Sequence, residues 1–254
     1  MTPCHQPFPT GNITPPTSRP LPLWKRMLDI TCSLIALPLL APIAMLICII
    51  TKASSRGPIL FKQPRVGHGG KLFLCYKFRT MKVNADTKQH QAHLQALMGS
   101  NAPMVKMDAR GDSRLIPGGW ILRATGLDEL PQIINVLRGE MSLVGPRPCI
   151  PYEYENYQAW QKWRFAAAPG LTGLWQVSGK NKTTFDEMIR LDIQYAHTKS
   201  LWLDIKIMFM TFPALLEQVL ETKSRRAAVA ASVSTPPIMS RVPAREYAVQ
   251  TAQN

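Results

Sequence analysis

ITCSLIALPLLAPIAMLICIIT, residues 30–51, carries no charged side chain. At about 1.5 Å of rise per residue, roughly 21 residues of straight helix cross a bilayer core of about 30 Å, so the stretch is long enough to enter a membrane. Two features set it apart from a simple span. Pro38 and Pro42 fall in its middle, where each removes a helical hydrogen bond and crowds the preceding turn. Both flanks are basic, with Lys25 and Arg26 before and Lys52 and Arg56 after, and the positive-inside tendency keeps both on the cytoplasmic side. A helix that enters, bends at Pro38 and Pro42 and returns satisfies both observations, with Trp24 as an interfacial anchor. A kinked single span and a buried helix of a soluble protein are the competing readings.

Away from this segment the chain is not membrane-like. Its mean hydropathy is -0.06, which does not suit a multi-span transporter. Lys and Arg number 30 against 16 Asp and Glu, a net charge of +14, so anionic partners are expected: nucleic acid, anionic lipid or phosphorylated substrates. Cys4, Cys32, Cys48, Cys75 and Cys149 are odd in number and form no CxxC, so they read as reduced thiols of a cytosol-like compartment. No Cys/His cluster has zinc-ligand spacing.

The chain divides into four parts. Residues 1–22 are proline-rich and nearly uncharged, and are expected to form a disordered arm. Residues 23–56 are expected to form a membrane-anchoring helix, residues 57–222 the main folded domain, and residues 223–254 a disordered tail. Within the domain, PILFKQ and KLFLCYKFRTM read as strands joined by a turn at RVGHGGK. LDELPQIINVLRGE, residues 127–140, reads as a helix with Asp128 near its N-cap and Gly139 as its terminator. SLVGPRP reads as a stiff loop, Tyr152–Phe165 as one helix, PGLTGLWQVSG as a loop or short strand, and Thr184–His197 as an amphipathic helix. Leu201–Leu220 suits either a core helix or one lying in the interface plane.

Asp128 and Glu129 are the residues best suited to chemistry. At a helix N-terminus two adjacent carboxylates can share one solvent volume, and the helix dipole stabilises anions there. A carboxylate can attack phosphorus or carbon, or bind a hard cation such as Mg²⁺. Taken alone, the pair is a capping Asp followed by a first-turn Glu. Its context adds cations suited to phosphate: Lys77 and Arg79 in YKFRTM, Arg123, and Arg147 between Pro146 and Pro148. The prolines preset the backbone around Arg147, so less entropy is lost when its fork grips two oxygens. His90, His93 and His197 read as solvated or structural, and GHGG lacks the context of a phosphate loop.

In this order, KRMLDI, the proline-broken apolar run, GPILFKQPRVGHGGKLFLCYKFRTM, LRATGLDELPQIINVLRGEMSLVGPRP, PGLTGLWQVSGK and LDIQYAHTKSLWLDIKIM closely resemble the bacterial sugar transferase family. These are monotopic polyprenyl-phosphate phosphoglycosyl transferases. The resemblance covers roughly residues 24–216. It implies an α-rich α/β catalytic domain with an N-terminal re-entrant membrane helix and amphipathic helices in the interface plane, at the cytoplasmic face of the bacterial inner membrane. It implies transfer of a sugar 1-phosphate from a UDP-sugar to undecaprenyl phosphate, with release of UMP, as the first membrane step of exopolysaccharide or O-antigen synthesis. Asp128 would be the nucleophile and Glu129 the Mg²⁺ partner beside it. Lys77, Arg79, Arg147 and Pro148 would lie against the substrate phosphates. The implied partners are the UDP-sugar, the lipid carrier and membrane lipids, without nucleic acid, and a homo-oligomer is compatible with them. The chain departs from the family pattern at Gly126, where Ser is common, at Ala53, where an acid is common, and at PGGW, residues 117–120. It resembles the compact form, without a multi-span N-terminal domain. A non-catalytic assembly factor and a membrane-tethered nucleic-acid binder are the alternative readings.

Overall fold

A computed structural model describes residues 20–82, 88–100, 102–104, 114–180 and 182–234. Most of the arm assigned to residues 1–22 lies outside them. The described chain opens with α1 (Leu23–Ser54), which begins directly after Pro22. Its helical assignment runs through Pro38 and Pro42 without interruption. At 100° per residue the covered positions share one side: Lys25, Asp29, Ser33, Ile47 and Thr51 are buried, and Ala36, Leu37, Leu40 and Ala44 are half-covered. Pro38 and Pro42 lie on the opposite, exposed side, with Ile35, Leu39, Met45, Leu46 and Ile49 also exposed.

Both ends of α1 are tied to the same small body. That body starts with the hairpin β1 (Leu60–Val66) and β2 (Leu72–Phe78), antiparallel in the register Phe61↔Lys77 and Gln63↔Cys75. Helices α2 (Lys88–Met98) and α3 (Gly119–Thr125) follow. A 3₁₀ segment, Leu127–Gln132, then leads into α4 (Ile133–Arg138), which closes at Gly139 with φ +80° as expected. The segment 127–140 is therefore two helices rather than one. Gly126, not Asp128, stands at its N-cap, in the left-handed conformation that glycine alone adopts without strain. Asn135 joins α4 to the hairpin: its side chain accepts from Tyr76 N (3.1 Å) and donates to Leu74 O (2.7 Å).

Strand β3 (Ser142–Val144) pairs in parallel with β4 (Gly170–Thr172), so the first half of SLVGPRP is a strand and not a loop. Between them α5 (Pro151–Glu155) and a 3₁₀ helix, Trp160–Ala166, replace the single helix expected over 152–165. The short α6 (Leu174–Val177) precedes α7 (Phe185–Thr198), which carries a capping box: Glu187 N donates to Thr184 Oγ1 (3.3 Å) and Thr184 N to Glu187 Oε2 (2.8 Å). The largest core cluster packs Phe185, Met188, Ile189 and Ile193 of α7 against Val66, Cys149, Tyr157, Phe165 and Trp175. Last comes α8 (Leu201–Ser234), which continues well into the stretch read as tail from residue 223. Its inner face buries Asp204 and Ile207, while Trp202, Phe209, Phe212, Leu216 and Leu220 form an exposed apolar stripe at helical spacing.

Lys25 and Arg26, the basic pair before the apolar run, bond to groups of the folded body. Lys25 Nζ is fully buried and donates to Val144 O (2.9 Å), Tyr195 Oη (2.8 Å) and Asp204 Oδ2 (2.6 Å). Arg26 donates to Val136 O and Leu137 O, capping the C-terminal end of α4. Removing one member of a buried ion pair strands the other charge at a cost of about 3–5 kcal/mol. Lys25→Met is therefore expected to lower the unfolding temperature sharply in detergent. Lys25→Met with Asp204→Leu should recover much of that loss in the same thermal scan, because the orphaned carboxylate is then gone.

Candidate active site

The 3₁₀ segment lies across β2. Its approach is set by Gly126 and by α8: Gln218 Nε2 donates to Ala124 O (2.8 Å), holding the last turn of α3 just before the turn into Leu127. Glu129 N then closes on Gly126 O (3.0 Å). The two carboxylates end in different settings. Asp128 is 7% exposed, while the Glu129 side chain is 39% exposed and meets Lys77 Nζ at 2.6 Å. Lys77 is thus brought to the acidic pair, as the clustering of cations suggested. A partly exposed ion pair of this kind contributes roughly 0–1 kcal/mol, so its partners can exchange for an incoming phosphate or cation.

Arg79 has a different place from the one its motif suggests. It is buried, and its fork is committed to the exit of α1: Nε to Pro58 O (2.6 Å), Nη1 to Ser55 Oγ (2.8 Å) and Nη2 to Ser55 O (3.0 Å). It roots the apolar helix to β2 rather than standing over the acidic pair. Because strands advance about 3.3 Å per residue, Lys77 sits only about 7 Å along the chain from that root.

Arg147 and Pro148 lie on the segment after β3. Two of its residues, Pro146 and Pro148, have no N–H to donate, and outside donors hold its carbonyls in turn. Pro146 O accepts from Gly170 N (2.9 Å), Arg147 O from Arg164 Nη2 (2.7 Å), Pro148 O from Arg65 Nη1 (2.9 Å) and Cys149 O from Val66 N (2.9 Å). Gly145 lets this segment approach β4: a Cβ there would lie 2.1 Å from Ala168 O. The Arg147 guanidinium meets both oxygens of the buried Glu153, at 3.2 and 3.0 Å. Burial pushes the Glu153 carboxyl up, but the Arg147 and Arg65 guanidiniums outweigh it and hold it below the ordinary glutamate range.

Arg65 and Glu153 are site residues that sequence reasoning missed. Arg65 lies in the hairpin, remote in sequence from Pro148, and its other bond is to Gln63 Oε1 (2.7 Å). Only its place in QPRVG, inside a motif segment, gave a signal. Among the described residues no group of three His, Cys, Asp or Glu is arranged to hold a metal.

A basic and acidic constellation on an α-rich scaffold, rooted in an apolar helix, defines a class, and comparison with known proteins identifies it. The chain belongs to the bacterial sugar transferase family, whose model matches residues 21–218. It is 42% identical over 193 residues to the galactosyl transferase CpsE of Streptococcus agalactiae, covering 76% of this chain and 42% of that one. It is 38% identical over 196 residues to the exopolysaccharide production protein ExoY of Sinorhizobium fredii, covering 75% and 84%. It is 42% identical over 202 residues to a UDP-glucose:undecaprenyl-phosphate glucose-1-phosphate transferase of Caulobacter vibrioides, covering 76% and 70%. The aligned part thus spans less than half of the streptococcal relative and most of the other two. By family the protein is an enzyme of the phosphoglycosyl transferase class.

Gly145→Ala tests the docking of the arginine segment. With its Cβ forced against backbone, the two strands must separate, and the variant is expected to lose transferase activity. Circular dichroism should remain helical, since the atoms that Cβ would strike are backbone atoms of residues 168–170 and not of the long helices.

Proposed function

We propose that the chain transfers a sugar 1-phosphate from a UDP-sugar to undecaprenyl phosphate at the cytoplasmic face of the inner membrane, releasing UMP, through a covalent intermediate on Asp128. The observation that carries this reading is the position of the Asp128–Glu129 pair: over β2, with Glu129 bonded to Lys77, which stands two residues before Arg79 at the root of an apolar helix. A water-soluble donor and a membrane-bound acceptor need a site at such a boundary. The names of relatives that act on undecaprenyl phosphate and UDP-glucose support the same substrates.

In the first step an Asp128 carboxylate oxygen attacks the phosphorus that bears the sugar. The bond from that phosphorus to the bridging oxygen breaks, UMP leaves, and an acyl phosphate to the sugar remains. In the second step a phosphate oxygen of the lipid attacks the same phosphorus, the acyl bond breaks, and the Asp128 carboxylate is restored. Little of Asp128 is open to solvent, which suits an acyl phosphate that water would otherwise hydrolyse. Lys77 would hold the phosphate oxygens as charge shifts during transfer, and Arg147 would grip the donor diphosphate. Two adjacent carboxylates fit Mg²⁺, which takes one or two carboxylates together with substrate phosphates. Glu129 and Asp128 would hold it, and when bound it supplies neutralising charge.

The tethering of α1 at both ends supports a re-entrant placement. A straight helix of its length would separate its ends by about 48 Å. Instead Arg26 is bonded to α4, and Ser55, just past the other end, to Arg79 after β2. With the prolines on the outer side, a bend that dips the middle into one leaflet and returns accounts for this arrangement. The exposed stripe of α8 would lie in the interface plane.

Two measurements test the reading. Asp128→Asn should abolish capture of a radiolabelled phosphosugar on the protein and cut UMP release by about 10³-fold or more. Wild-type turnover in that variant would remove Asp128 as nucleophile. In intact cells, cysteines placed by Thr17→Cys and Arg56→Cys should both be shielded from an impermeant thiol reagent in the periplasm. Labelling of one alone would overturn the re-entrant arrangement.

A further inference from the structure

The motif segment LDIQYAHTKS has no task in the chemistry above, yet one of its residues reaches the arginine loop. Asp192 of α7 accepts from Arg164 Nη2, and the pair is fully buried. Arg164 Nη1 donates to Tyr157 Oη (2.6 Å), and the Tyr157 hydroxyl donates to Glu153 Oε2 (3.1 Å). Glu153 in turn accepts from Arg147 Nη1. Arg164 Nη2 also donates to Arg147 O (2.7 Å). The bonds therefore form a closed ring. It leaves Arg147 through its guanidinium, passes through Glu153, Tyr157 and Arg164, and returns to Arg147 through its own carbonyl.

Each bond in the ring has a fixed donor and a fixed acceptor. A guanidinium only donates and a carboxylate only accepts. Arg164 donates and Glu153 accepts, and the link between them runs through a group that does both. The Tyr157 hydroxyl is that group. Glu153, Arg164 and Asp192 are at most 1% exposed and Tyr157 is 5% exposed, whereas the Arg147 side chain is 24% exposed. Among the described residues, Arg147 Nε and Nη2 make no hydrogen bond. The buried ring thus ends in one guanidinium whose backbone and head are both fixed and whose remaining donors face outward.

We infer that Glu153, Tyr157, Arg164 and Asp192 are positioning residues that hold Arg147 ready for the donor diphosphate, so that the cost of ordering it is met on folding and not on binding. This rests on the proposed function in taking Arg147 as a phosphate contact. The ring links α5, which follows the loop directly, with the 3₁₀ helix at 160–166 and with α7, which are remote from it in sequence. It gives the family-like LDIQY segment a role at the site from a distance.

The test is a double-mutant cycle on the full chain in detergent micelles, with Mg²⁺, undecaprenyl phosphate and either UDP-glucose or UDP-galactose as donor. Tyr157→Phe keeps the ring packed between Phe165 and Phe185 and removes only the hydroxyl. It should raise KM for the UDP-sugar about 5–20-fold, the size expected when a buried donor is left unpaired, with kcat within about 2-fold. In an Arg147→Ala background the same substitution should change KM by less than about 2-fold, because the residue it positions is gone. Equal effects in both backgrounds, or a lower melting temperature with KM unmoved, would overturn the inference. If Arg147→Ala itself leaves KM unchanged, the fault lies with the phosphate role of Arg147 and not with the ring. Should Tyr157→Phe prove too unstable for kinetics, Asp192→Asn, of nearly equal size, carries the same cycle.

Discussion

One ammonium group holds the parts of this protein together. Lys25 Nζ has three donors, and each is used inside a dry interior, on Val144 O, Tyr195 Oη and Asp204 Oδ2. Those acceptors belong to β3, α7 and α8, and the donor belongs to the long apolar helix α1. A buried lysine is tolerated only when its charge is paired and its protons are placed. The Tyr195 hydroxyl completes the arrangement by bonding Asp204 Oδ1 at 2.7 Å. One turn later Asp29 accepts from Ser142 Oγ (2.8 Å) and Leu143 N (2.9 Å), so the start of α1 grips β3 twice. Val144 then leads directly into the arginine segment.

The segment after β3 repeats this logic from the acceptor side. Where α1 brings a cation to carbonyl and carboxylate acceptors, the segment at Pro146–Cys149 presents acceptors to cations. Two prolines deprive it of donors, and the guanidiniums of Arg65 and Arg164 supply them from the hairpin and from the 3₁₀ helix at 160–166. Six of the protein's basic side chains, Lys25, Arg26, Arg65, Arg79, Arg147 and Arg164, are thus engaged in holding its own backbone or carboxylates. The net charge of +14 is not simply an electrostatic surface for partners.

What could be read in the sequence was local. The hairpin follows from two alternating runs around RVGHGGK, the close of α4 from Gly139, and the start of α7 from Thr184 followed by Glu187. Asp128 and Glu129 were legible through their motif, as was the nearness of Lys77. What escaped depends on contacts remote in sequence. The pairing of β3 with β4 needs Gly145 against Gly170, and nothing in SLV marks it as a strand. The split at 156–159 and the 3₁₀ form of Leu127–Gln132 are set by packing against α7 and β2, which override local propensity. Arg79 carries the same side chain whether it grips a phosphate or Ser55, and only the fold distinguishes them. The inward turn of Lys25 and Arg26 is hidden for the same reason, since a basic pair before an apolar run looks like any membrane flank.

The double rooting of α1 also bears on how the enzyme can be handled. A chain cut after Ser54 to make a soluble catalytic domain would lose far more than an anchor. Asp204 and Tyr195 would keep a dry cavity with no cation in it, Ser142 and Leu143 would lose their acceptor, and the carbonyls at the end of α4 would be uncapped. Arg79 would retain only part of its shell at the new terminus. The apolar helix is a structural stave of the catalytic body, and solubility has to be sought in the exposed stripes of α1 and α8 and not by removing the helix.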